Sequence, residues 1–185
     1  GSTPFNFLNV SIPHGRKNLD LLIRGYFDAF SKRDNVVLTI KTSLKQPRSK
    51  FEVNVEKLIL DIKKKYNKSL PEIKIISHNF RTLNHLYSNS HCLINVSSYE
   101  GFGLTMLEAM SFGSLIISPI RTGESEFLSS NNSIEINSRK IAAPETHQYW
   151  EVNYDAECYM PIVSDISKKM LYAYENYNEE IELKR

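Results

Sequence analysis

Along the chain, short apolar runs alternate with longer stretches in which apolar positions recur at helical spacing. Residues 5–12 form an apolar, β-prone run, and after the turn Pro13-His14-Gly15 residues 18–30 place Leu19, Leu22, Ile23, Tyr26, Phe27 and Phe30 on one helix face. Residues 36–40 read as a strand and Gln46-Pro47-Arg48-Ser49 as a loop. Residues 51–66 read as an amphipathic helix, with Val55, Leu58, Ile59 and Ile62 inward and lysines outward. Pro71 leads into a strand over 72–77, and a short helix over 82–88 precedes an apolar strand over 92–97. Residues 103–112 read as a helix apolar nearly all round, with Gly113 as its C-cap, followed by a buried strand over 115–118. A helical turn over 124–128 and a strand over 133–136 continue the series.

Repeated β-α pairs with short connections predict a parallel sheet. The expected fold class is α/β, a Rossmann-like doubly wound sheet with helices on both faces. Residues 139–160 carry Tyr149, Trp150 and Tyr154 without period and read as an irregular loop or insertion. Residues 161–178 read as a closing helix, with Pro161 in its first turn, where a missing N–H costs nothing. No internal repeat or linker interrupts the 185 residues, so one domain is expected. Gly1-Ser2 reads as a remnant of tag removal, which would make the chain a domain taken from a larger protein.

Charge narrows the possible partners. The 23 basic and 21 acidic residues nearly balance, which argues against nucleic acid, and Lys63-Lys64-Lys65 reads as the solvated end of a helix. Cys92 and Cys158 lie far apart, excluding local zinc or redox motifs and suggesting free buried thiols in a reducing, cytoplasmic setting. No apolar run approaches the ~20 residues of a membrane span. His14, His78, His85, His91 and His147 show no spacing that would put a metal-binding pair on one helix face.

One stretch stands out chemically. Glu100 and Glu108 are the only acidic residues between Glu100 and Ile120, and they flank the turn Gly101-Phe102-Gly103. So apolar a run predicts burial, and a buried carboxylate needs a partner. A hydroxyl-rich ligand is one candidate for Glu108, and Arg121 is another. Ligands of parallel sheets bind beyond the carboxyl ends of the strands. Two loops qualify: residues 13–18, ending in Arg16-Lys17-Asn18, and residues 97–103, ending in Gly-Phe-Gly at a helix start. Glycine admits close backbone approach, and the unpaired N–H groups of a helix start favour phosphate. The two loops together would clamp a diphosphate.

The segment Ser98-Tyr99-Glu100-Gly101-Phe102-Gly103-Leu104-Thr105-Met106-Leu107-Glu108-Ala109-Met110, followed by Gly113 and by Gly123 with Glu126, resembles the signature of glycosyltransferase family 4. Arg16-Lys17-Asn18-Leu19-Asp20-Leu21-Leu22-Ile23 resembles that family's phosphate-contact segment, and the likeness runs over roughly 5–128. The resemblance implies the carboxyl-terminal, donor-binding half of a retaining GT-B glycosyltransferase. It implies a nucleotide-diphosphate sugar as donor (UDP- or GDP-sugar), no metal or other cofactor, and a glycan, lipid or protein acceptor. The acceptor would be held by an amino-terminal domain missing here, through which peripheral membrane attachment would also come. Without that domain little transfer is expected.

By the same resemblance, Glu108 would bind the ribose and Glu100 the donor sugar. Lys17 and Arg16 would bind the diphosphate, assisted by backbone N–H groups of Phe102, Gly103 and Leu104 beside Gly101. Gly123 and His14 are further candidates for ligand contact. Each has a plainer alternative: a loop charge for Glu100, helix-start decoration for Arg16 and Lys17, a cap for Gly123 with Glu126, packing for Trp150. Cations at the positive end of a helix dipole are misplaced for stability, which favours function at Lys17. The chain departs from the family where a glycine-arginine pair is common, since Ser11 and Ile12 stand there. A phosphate-binding cation is therefore absent, and its work is expected to shift to Arg16. Other readings with the same nucleotide site are a non-catalytic nucleotide-binding module and a GT-B nucleotide-sugar epimerase.

Overall fold

The structure, a computed structural model, describes residues 3–43, 51–78, 81–147 and 156–184. Six strands, β1 (Phe5–Val10), β2 (Val36–Lys41), β3 (Glu72–Ile76), β4 (Cys92–Ile94), β5 (Leu115–Ser118) and β6 (Ile134–Glu135), form one sheet. Every neighbouring pair is parallel, and the order is β3-β2-β1-β4-β5-β6. The chain winds outward from β1 to β3, then restarts at β4 on the other side. The switch point thus lies between β1 and β4, where the loops after the two strands diverge and leave a crevice.

Sequence explains the strand environments. β2 is buried over all but its last residue and lies between β1 and β3, matching its nearly unbroken apolar run. β3 is at the edge and carries exposed Glu72 and Lys74, charges that suit a strand with one unpaired side.

The α-helices among the described residues are α1 (Leu19–Ala29), α2 (Val55–Lys63), α3 (Asn84–Ser88), α4 (Leu104–Ser111), α5 (Val163–Glu175) and α6 (Tyr177–Leu183). One sheet face carries α1, α2 and α5, whose Leu22, Ile23, Phe27, Ile59, Ile166 and Met170 join Phe7, Leu38, Ile40 and Ile94 in the main core. The other carries α3 and α4 over a smaller cluster with Leu8, Tyr87, Leu93, Met106, Ala109 and Ile116.

Four expectations change. The second helix begins at Val55, because the Asn54 side chain accepts a hydrogen bond from Lys57 N at 2.9 Å and caps it there. α4 is not buried all round: Leu104 and Leu107 are exposed, as is Phe112 at its C-cap. Its apolar composition concealed that Met106 and Ala109 alone are buried, with Met110 partly so. Residues 139–160 are not wholly irregular, since β7 (Ser138–Ala142) and β8 (Glu157–Pro161) pair antiparallel. Half-exposed strands separated by a long connection leave little apolar period to read. Tyr149, Trp150, Tyr154 and Gln46-Pro47-Arg48-Ser49 lie outside the described residues. Finally, Pro161 closes β8 at a sheet edge, where a missing N–H is tolerated, and α5 starts two residues later.

Candidate functional site

The crevice at the switch point is a cavity of about 740 Å³, within the range of small-molecule sites. Its walls come from Ser11 and Ile12 after β1, Arg16 and Lys17 before α1, Lys41 at the end of β2, and Glu100 with 102–105 at the head of α4. Both loops singled out from the sequence therefore meet at one cavity.

The first loop is held by local hydrogen bonding. His14 accepts a hydrogen bond from Arg16 N on its Nδ1 at 3.2 Å and so caps a 3-10 turn over Gly15–Lys17. Asn18 follows in the left-handed conformation (φ 49°), one of the few non-glycine residues that tolerates it. Its buried side chain donates to Val96 O and to Ser98 Oγ, both at 2.8 Å. Arg16 O accepts from Ser98 N at 2.9 Å. The loops after β1 and β4 are thereby fastened to each other, although some 80 residues separate them.

That fastening presents Lys17 to Glu100: Lys17 Nζ lies 2.5 Å from Glu100 Oε1, and Arg16 Nη1 lies 3.6 Å from Oε2. All three side chains are 12–13% exposed, so water screens them weakly. Burial works to raise the Glu100 carboxyl, but the Lys17 charge and hydrogen bond, aided by Ser97 and Arg16, hold it below the ordinary glutamate range. The same burial lowers the Lys17 ammonium, against the attraction of Glu100. An ion pair this short favours the charged form of both groups. Arg16 is further occupied by Tyr99, donating to its carbonyl at 2.8 Å and lying over its ring at 5.1 Å.

Glu100 is fixed from the other side by a residue the sequence reading passed over. Buried Glu124 accepts hydrogen bonds from Arg121 N at 2.8 Å, Thr122 N at 3.0 Å and Thr122 Oγ1 at 2.6 Å. Thr122 Oγ1 in turn accepts from Glu100 N at 2.9 Å. Gly123 N donates to Glu100 O at 3.0 Å, and a Cβ at Gly123 would collide with the Gly101 carbonyl oxygen. Gly123 is thus a packing glycine behind the turn, and exposed Glu126 takes no part. An acidic residue one position after a glycine is too common a pattern to have marked Glu124.

At the head of α4, Gly103 has φ +93°, a conformation that disfavours any side chain. Met106 N and Leu107 N both bond back to Gly103 O, leaving the earlier N–H groups without intrahelical acceptors, as at any helix start. Phe102, Gly103 and Leu104 line the cavity, whereas Gly101 is exposed beside open space.

Two expected residues stand elsewhere. His14 does not line this cavity: its ring is buried behind the loop, beside His147 at a second cavity of about 370 Å³, because capping the 3-10 turn draws it inward. Glu108 is exposed, not buried, and its Oε2 accepts a hydrogen bond from Tyr87 Oη at 2.7 Å. Burial, then the adjoining carboxylate, raises the Tyr87 phenol, which stays a donor. Arg121, the other expected partner, pairs with Glu135 at 2.8 Å.

The hairpin missed in the sequence supports both loops. Tyr159 N donates to Ser98 O at 3.2 Å, and Tyr99 Oη donates to His147 O at 2.6 Å. A Cβ at Gly15 would strike the Thr146 carbonyl. Burial, then His14 and Arg16, lowers the His147 imidazole to about 4, so it is neutral at pH 7. Cys92 and Cys158 are free and buried. Among the described residues no group of three or more His, Cys, Asp or Glu side chains is placed to hold a metal, and no helix is long and apolar enough to cross a membrane.

Residues 4–143 match the family model described as "Glycosyl transferases group 1". The chain is similar to the pneumococcal O-GlcNAc transferase GtfA solved with UDP and GlcNAc (TM-score 0.62, 17% identity), covering 100% of this chain and 31% of that one. It is similar to Anabaena Alr3699/HepE in complex with UDP and glucose (TM-score 0.68, 14% identity, 98% and 42% covered). A third likeness is the catalytic domain of cholesterol-alpha-glucosyltransferase from Helicobacter pylori (TM-score 0.62, 18% identity, 98% and 93% covered). At these identities the likeness shows the fold, the Rossmann-like domain of GT-B enzymes. The chain spans about a third of the pneumococcal protein's length. No curated protein sequence matches significantly.

Proposed function

Because the chain belongs to the group 1 glycosyl transferase family, we propose that it is the donor-binding domain of a retaining, family 4 glycosyltransferase. The observation that carries this reading is the convergence of Arg16, Lys17, Glu100 and the α4 start on one cavity at the switch point. A nucleotide-diphosphate sugar, UDP- or GDP-linked, suits that wall. Its phosphates would meet Lys17 and the N–H groups of 102–104, where charge developing on the leaving diphosphate is stabilised. Glu100, half-buried and held ionised, would bind hydroxyls of a hexose near its reacting carbon. Glu108 already accepts a hydroxyl hydrogen bond from Tyr87, which is the chemistry a ribose would require of it.

Transfer to a glycan, lipid or protein acceptor is assigned to this domain acting with an amino-terminal one, a division supported by the 31–42% of the two UDP-complexed relatives that the chain covers. The isolated domain then binds donor but transfers poorly. Buried free thiols fit a cytoplasmic setting for this work, with any membrane contact made through the other domain.

Calorimetric titration with UDP-glucose, UDP-GlcNAc and GDP-mannose tests the reading. Binding of at least one is expected, weakened about tenfold in Glu108→Gln at unchanged melting temperature. Folded protein that binds none at millimolar concentration overturns it.

A further inference from the structure

Lys41 is the last residue of β2, and its register partners are Val10 on β1 and Ile76 on β3. Its carbonyl accepts from Ser11 N at 3.1 Å, so its backbone is fastened beside the Ser11-Ile12 pair on the cavity rim. The three cations of the cavity wall are differently engaged. Lys17 and Arg16 both pair with Glu100, and Arg16 also donates to the Tyr99 carbonyl and lies over its ring. Lys41 makes no ion pair or side-chain hydrogen bond among the described residues. Next to it, Thr42 also lines the cavity and is only 3% exposed, and its buried hydroxyl has no hydrogen-bond partner among the described residues. A buried hydroxyl left unpaired costs free energy that an incoming polar group recovers.

From this arrangement we propose that Lys41, together with the Thr42 hydroxyl, forms an anion subsite that takes a phosphate of the nucleotide donor. The proposal rests on the donor-binding reading above and makes it specific. It gives to Lys41 the work that the sequence led us to expect of Arg16 in place of the cation absent at Ile12. The guanidinium is held in place by Tyr99 and Glu100, whereas Lys41 is available. Charge balance agrees. Arg16 and Lys17 against Glu100 leave a single positive charge on the wall, and Lys41 brings it to two, matching a doubly charged sugar diphosphate.

The test compares UDP with uridine, and GDP with guanosine, on the 185-residue chain and on Lys41→Met, which keeps the aliphatic stem. Expected are a roughly tenfold weaker affinity for the diphosphate, unchanged nucleoside affinity and recovery of most of the loss in Lys41→Arg. Thr42→Val is expected to weaken the diphosphate by a smaller factor. Melting temperatures of the variants report whether the fold is retained. Undiminished UDP and GDP binding by folded Lys41→Met overturns the subsite while leaving the donor reading intact. Equal loss for nucleoside and diphosphate also overturns it, because the lysine then touches the nucleoside. A wild-type chain that binds neither diphosphate removes the donor reading and the subsite together.

Discussion

The two faces of the sheet are built for different purposes. On one, α1, α2 and α5 seal the apolar positions of β1, β2 and β4, and Leu22, Ile23, Tyr26 and Phe27 are fully buried. On the other, α4 covers the sheet with little more than Met106 and Ala109, and Leu104 is left 63% exposed. The closed face supplies stability through buried area. The open face gives some of that up and keeps a glycine-headed helix start and a half-buried ion pair within reach of a ligand. Order on the open side comes from hydrogen bonds: Asn18 to the loop after β4, and Glu124 through Thr122 to Glu100.

The largest effect should separate the faces directly. Phe27→Ala is expected to cost about 3–5 kcal/mol, and Leu104→Ala to stay within about 0.5 kcal/mol, in urea unfolding. Comparable losses for both would mean that the open face contributes to the core after all. A smaller effect should come from Glu124→Gln, which cannot accept from all three of its present donors. It should lose about 1–3 kcal/mol, and nucleotide affinity should fall with it as the Glu100 loop loosens. Unchanged affinity at reduced stability would confine Glu124 to a structural role.

The smallest effect concerns pH. His147 titrates near 4 in the fold against about 6.5 unfolded, so the unfolded chain binds more protons between those values. The stability tied to its neutral form is whole above pH 6.5 and falls as pH drops toward 4. Allowing for partial solvation, the loss is on the order of 1 kcal/mol. His147→Gln should flatten the difference in urea midpoint between pH 7 and pH 5. An unchanged slope would mean that another group governs it.

Much of this was legible because it is local. Helical spacing placed Leu22, Tyr26 and Phe27 in the core, and the glycines around Phe102 marked the helix start. The charge-poor run led to Glu100, which lines the cavity, and misleadingly to a buried Glu108, since apolar composition does not say which side of a helix meets the sheet. Lys41 has no mark in the sequence, since a lysine at the end of an apolar strand is ordinary, although the end of β2 opens on the same cavity. The β7–β8 hairpin had too little periodicity to declare itself.

By itself the sequence determined the alternation of strands and helices, the parallel sheet, and the two loops that meet at the cavity. Those properties rest on residue period and backbone preference within a few positions. Only the tertiary structure decided that Lys17 meets Glu100, 83 positions away, that Asn18 binds the loops together and that Glu124 stands behind them. Such pairings are set by where two crossovers bring the strand ends, a relation between distant segments that no local pattern encodes.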